Sequence, residues 1–184
     1  MYPAAKSQSA ALRRYFAGLT EFAFETRLGV ADPPLIEYLG DLLTRFVRTD
    51  SVFHVRNLTG RQLDAVADML VEAEARVGEA RREVHRHIGD FTLFWTGLYP
   101  EALEHFQRGP RKDFFFDYCE HGKRAYYIAS TIPTRDDRQD ENAVLSRLSH
   151  EFELCVYGLT EVRKEMERRE TDGESRPGPI VLGE

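Results

Sequence analysis

The stretch Arg82–Leu103, REVHRHIGDFTLFWTGLYPEAL, decides how the rest of the chain is read. It gathers two histidines, several acids and the sole tryptophan. Gly89 followed by Asp90 reads as a helix stop and a fresh N-cap. The stretch then joins one long helix, ending at Gly89, to a short buried helix over DFTLFWTGL. Tyr99–Pro100 breaks that helix and starts another short one, PEALEHFQRG, which Gly109–Pro110 closes.

Working back from Gly89, the preceding helix starts at Thr59, with Gln62 three residues on as a capping box. Leu63, Leu70, Val77 and Val84 recur every seven residues, with Val66, Ala73, Ala80 and His87 as the companion row. This is an a/d seam, and its alanines predict a close neighbouring helix. Arg76, Glu79, Arg82, Glu83 and Arg86 fall mainly outside it. Upstream, SVFHVRNLTG is the one plausible extended segment. Before it, Asp32–Pro33 caps an amphipathic helix carrying Leu35, Leu39, Leu42 and Phe46, ending near Arg48. The first helix, Ser9–Leu28, is apolar on most sides and ends at Gly29.

Downstream, Asp113 caps a helix whose face is Phe115, Cys119, Gly122, Tyr126 and Ala129; its end, AYYIASTI, is rich in β-formers. TRDDRQDE is a loop. A last long helix carries Leu145, Leu148, Phe152, Cys155, Leu159, Val162 and Met166 at spacings of three and four. Residues 170–184 are polar, rich in Gly and Pro, and non-periodic, which predicts a flexible tail. The expected fold is all-α: one domain over residues 1–169, an antiparallel bundle of four long helices plus two short ones.

The totals bound the function. The chain has 184 residues, 42% hydrophobic and 30% charged, as a globular protein requires. A formal net charge of −6 argues against a general nucleic-acid binder. No apolar run is long enough to span a membrane and no secretory leader is visible, so a cytoplasmic protein is expected. Cys119 and Cys155 lie in apolar surroundings and read as reduced core thiols.

Candidate chemistry centres on His87, which sits in the seam. On a helix Glu83, His87 and Asp90 share a face, whereas His85 diverges. His87 can therefore be a core histidine satisfied by one partner, or a ligand. Glu21 and Glu25 stand one turn apart on the apolar first helix, either as its wet strip or as inward carboxylates; Glu151 poses the same question on the last helix. Other acid–histidine spacings, such as Asp117/His121 and His150/Glu153, fit surface pairs, and Glu-x-x-His is absent. HGKRAYY lacks a phosphate loop, and no nucleophile elbow, CxxC or HExxH occurs. No motif identifies a family.

Two functions follow as expectations. The first is binding or assembly rather than catalysis, with a protein partner or self-association through the last helix. The second is a metal- or haem-dependent bundle protein, a redox enzyme in one version. There His87 is the central ligand, with Glu21, Glu25, Asp90 or Glu151 as oxygen ligands.

Overall fold

A computed structural model describes residues 3–47, 65–103, 114–134 and 139–173. Seven α-helices, one π-helical turn and one short 3-10 turn account for its regular structure, with no strand among the described residues. The helices are α1 (Pro3–Glu21), α2 (Pro33–Phe46), α3 (Val66–Glu74), α4 (Gly78–Leu98), α5 (Phe114–Thr131), α6 (Gln139–His150) and α7 (Phe152–Thr171). The chain forms two compact units: Met1–Val52 with Tyr157–Glu184, and Phe53–Val156. We call them the outer and the inserted unit.

In the outer unit α1 passes into the π-helical turn Phe22–Leu28. Phe16, Leu19, Thr20, Ala23 and Phe24 are buried, but the wet side is wider than expected: Arg13, Arg14, Thr26 and Arg27 are exposed along with Gly18, Glu21 and Glu25. Gly29 ends the element with φ 69°, and the Val30 N–H reaches back to the Phe24 carbonyl at 2.9 Å. Asp32 caps α2 as expected, its Oδ1 accepting from the Leu35 N–H at 3.3 Å. Leu35, Ile36, Leu39, Leu42, Leu43 and Phe46 form the buried face of α2. Arg13 meets Asp41 while Glu25 and Pro33 line the same cleft, so α1 and α2 run antiparallel.

The inserted unit corrects the seam reading. The helix expected to end at Gly89 is broken at residues 75–77 and then continues through Gly89 to Leu98. Gly78 takes φ 56°, a left-handed conformation that side chains resist, and Val77 is 83% exposed. The heptad row thus loses its third member to a corner. Ala80 also lies at the surface. Ala80→Leu is therefore expected to change stability by no more than about 0.5 kcal/mol. A larger loss in urea titration would put Ala80 back on a packed seam.

Gly89 is a packing notch, not a stop: a Cβ there would lie 2.6 Å from the Tyr126 ring. One turn on, a Cβ at Gly122 would lie 2.4 Å from Thr92 Oγ1 and 2.5 Å from the Phe152 ring. Rising numbers on α4 meet falling numbers on α5, so the two helices are antiparallel and unusually close. Every residue from His87 to Leu98 is buried, which is why this stretch lacks a polar stripe. Its hydroxyls are satisfied locally: Thr92 donates to the Ile88 carbonyl at 2.8 Å and Thr96 to the Thr92 carbonyl at 2.7 Å.

The expected face of α5 is buried at Cys119, Gly122, Tyr126 and Ala129, and AYYIAST is helical despite its β-formers. The last long helix is two, α6 and α7, joined by a turn at Glu151 through which the i−4 hydrogen bonds still run. SVFHVRNLTG, the Thr59 cap, most of PEALEHFQRG and residues 174–184 lie outside the described residues; α7 itself extends to Thr171. No helix among the described residues is long and apolar enough to cross a membrane.

Candidate functional site

Two polar groupings stand out, one in each unit. In the inserted unit α4 carries Arg82, whose side chain is fully buried. A buried guanidinium needs acceptors in its own plane. Arg82 finds them on the first turn of α6: Nε and Nη2 donate to Asn142 Oδ1 at 3.2 and 2.9 Å, and Nη2 donates to Glu141 Oε2 at 3.1 Å. Its Nη1 donates to Glu83 Oε1 at 3.2 Å. Arg86, one turn along, donates to Glu141 Oε1 at 2.8 Å and pairs with Glu83 Oε2 at 2.9 Å. Burial pushes the Glu141 carboxyl up, but Arg86 and Arg82 outweigh it and hold it below its ordinary value. The cluster is an ionic clamp between α4 and α6.

Further along α4, Asp90 and Tyr126 are both buried, and the Tyr126 hydroxyl donates to Asp90 Oδ1 at 2.8 Å. Asp90 is thus not the N-cap the sequence suggested; it sits mid-helix and ties α4 to α5. His87 is buried one turn before Phe91, with ring centroids 6.2 Å apart. His85 is 1% exposed, and neither of its ring nitrogens has a hydrogen-bond partner. Burial, then the charge of Arg81, holds its pKa below the ordinary 6.5. The sequence reading passed over His85 because it diverges from His87 on the helix; its face is nonetheless covered.

Glu21, Glu25 and Glu151 are exposed, and Asp90 is engaged by Tyr126. Among the described residues no three His, Cys, Asp or Glu side chains gather closely enough to hold a metal ion. Cys119 and Cys155 are free and buried. Burial raises the Cys119 thiol to about 11, with Glu153 and Glu120 adding to the shift, so it stays protonated at neutral pH. His121 and His150 lie at the surface.

In the outer unit a cleft of about 290 Å³ opens between α1, the π-helical turn and α2. Its ionic lining is Arg13 against Glu21, Glu25, Glu37 and Asp41. Arg13 is occupied: its Nε lies 3.0 Å from Asp41 Oδ1 and its Nη2 3.1 Å from Oδ2, a bidentate pair, with Glu37 at 3.9 Å. Glu21 and Glu25 lie on the wet strip of this element. Sequence reasoning had both glutamates but not the cleft, because Glu37 and Asp41 belong to the second helix and only the pairing of α1 with α2 sets them opposite.

No family model, no curated protein and no solved structure matches the chain.

Proposed function

We propose that this protein works by binding a partner rather than by catalysis, and that the partner presents lysine or arginine side chains to the outer unit. The observation that supports this is the contrast between the two polar groupings. Arg82, Arg86, Asp90 and Glu141 are engaged with one another or with Tyr126 and Asn142, as structural ties are. Glu21 and Glu25 instead line an open cleft whose one guanidinium is already held by Asp41. A cation entering there meets the exposed carboxylates of Glu21 and Glu25, and it loses little hydration in so open a site.

The contact element also moves in this reading. The apolar seam that suggested the last helix is buried from Leu145 to Met166, which favours looking to another surface for the contact.

Fluorescence anisotropy of a labelled octalysine peptide tests the proposal. Binding is expected at low ionic strength, several-fold weaker for Glu21→Gln/Glu25→Gln, and unchanged for Glu161→Gln on α7, which is not among the residues that line the cleft. Equal affinity for wild type and the double variant would reject the cleft as the contact surface. The affinity of the wild type is also expected to fall as salt is raised, since exposed charges are screened beyond about 10 Å at 0.1 M.

A further inference from the structure

Arg13, Ala17, Glu21 and Glu25 follow one another at intervals of four along one wall of the outer cleft. On a helix that spacing makes a single row. Arg13 and Glu21 are eight residues apart on α1, about 12 Å along the axis, with the small side chain of Ala17 between them. They therefore mark two ends of the cleft. The wall made by α2 runs the other way, so Asp41 stands at the Arg13 end and Pro33 at the Glu25 end.

The two ends differ in what they hold. Glu21 and Glu25 are exposed to the open cleft. At the other end a guanidinium is already seated. Arg13 sets its Nε 3.0 Å from Asp41 Oδ1 and its Nη2 3.1 Å from Oδ2, with Glu37 Oε1 at 3.9 Å. This pairing of a planar fork with a carboxylate is how arginine is recognised between molecules as well as within one. The chain's own side chain thus shows which ligand the seat takes: a guanidinium with two parallel N–H groups, which an ammonium cannot imitate. The seat is not locked. Arg13 is 60% exposed and Asp41 43%, and an exposed ion pair contributes little to stability. A partner offering the same fork exchanges one such pair for another.

We propose that Arg13 is an internal competitor, holding the Asp41 seat of the cleft until an arginine of the partner displaces it. This role rests on the cleft receiving a basic partner, as proposed above, and it names the side chain that the partner brings. While Arg13 stays in place, a basic segment is held by Glu21 and Glu25 alone. Once Arg13 swings out, two arginines about 12 Å apart fill both ends. A lysine chain gains less from the second end, because it cannot rebuild the fork. Arg13 is then an autoinhibitory contact that discriminates against basic chains without arginine.

Fluorescence anisotropy of a labelled octaarginine peptide with the full chain tests this. Arg13→Gln empties the Asp41 seat and is expected to bind about two- to fivefold tighter than wild type, the range set by the worth of an exposed ion pair. Arg14→Gln removes the same charge from the next position, which is exposed and not among the residues that line the cleft. Its affinity should stay close to that of wild type. Equal tightening in the two variants would mean that net charge alone is at work and would overturn the competitor role, as would weaker binding by Arg13→Gln. The Arg13 Nε–H resonance gives an independent readout. It is expected to shift and to exchange faster with water as octaarginine is added to wild type, and a resonance unchanged at saturation would overturn displacement. Failure of the underlying reading looks different: wild-type binding would be absent, or would not respond to Glu21→Gln/Glu25→Gln.

Discussion

Arg82→Met is expected to destabilise the protein by about 3–5 kcal/mol, the usual penalty for removing one partner from a buried ionic group. Methionine keeps most of the volume and the apolar stem, so the loss reports the guanidinium. Four hydrogen bonds disappear with it, two of them to Asn142 Oδ1. Asn142 is then left facing an apolar side chain, and Glu141 keeps Arg86 alone. Arg86→Met should do less harm, because Arg86 is 26% exposed and water can replace part of what it offers. Urea denaturation of both variants checks the ranking. A loss below about 1 kcal/mol for Arg82→Met would mean that the clamp is no stronger than a surface ion pair.

The second large effect is steric. Gly122→Ala adds one carbon where there is no space for it, 2.4 Å from the Thr92 hydroxyl and 2.5 Å from the Phe152 ring. Neither neighbour yields easily. Thr92 is held by its bond to the Ile88 carbonyl, and Phe152 is fully buried. Overpacking of this kind costs about 1–3 kcal/mol and sometimes more. The helix-propensity gain of alanine over glycine, up to about 1 kcal/mol, works in the opposite direction. A net loss of about 2 kcal/mol is therefore expected from the shift of the thermal midpoint. A neutral or stabilising result would show that α4 and α5 sit further apart than described. Gly18→Ala is the natural control: nothing lies within 4 Å of its Cβ position, so propensity acts alone and the variant should gain slightly.

The class of fold was readable because amphipathic spacing survives in most helices. Leu35 to Phe46 and Leu145 to Met166 each repeat by three and four, and each is buried as that spacing requires. The Asp32 cap and the Gly29 stop are chemical signals within one turn, and both stand. What failed was the centre. Gly89 looks like a terminator to any local rule, since glycine is a poor helix residue and aspartate follows it. Its true reason is the Tyr126 ring, thirty-seven positions away in the chain. The seam through Val77 failed in the opposite way: a regular heptad pattern was overridden by the glycine that follows it. Arg82 was read as lying outside the seam, and charge is ordinarily exposed, so nothing local marked it as buried. Its acceptors, Glu141 and Asn142, lie on a different helix, and no spacing rule links them. Of the proposed ligands, the structure buries only His87 and Asp90.

The two units differ in how their chain is threaded. The inserted unit is one continuous stretch, Phe53–Val156, whereas the outer unit is assembled from Met1–Val52 and Tyr157–Glu184. A ribosome therefore delivers α1 and α2 before the inserted unit but leaves their own unit incomplete until α7 emerges. Phe24 shows what that means at atomic scale. Its ring occupies the space that a Cβ on Gly158 would need, at 2.1 Å, so during synthesis this phenylalanine waits for a glycine more than a hundred residues behind it. The inserted unit has no such wait, and its α4–α5 pairing is complete in the nascent chain before the outer unit can close. For the growing polypeptide, the order of synthesis and the order of completion are not the same.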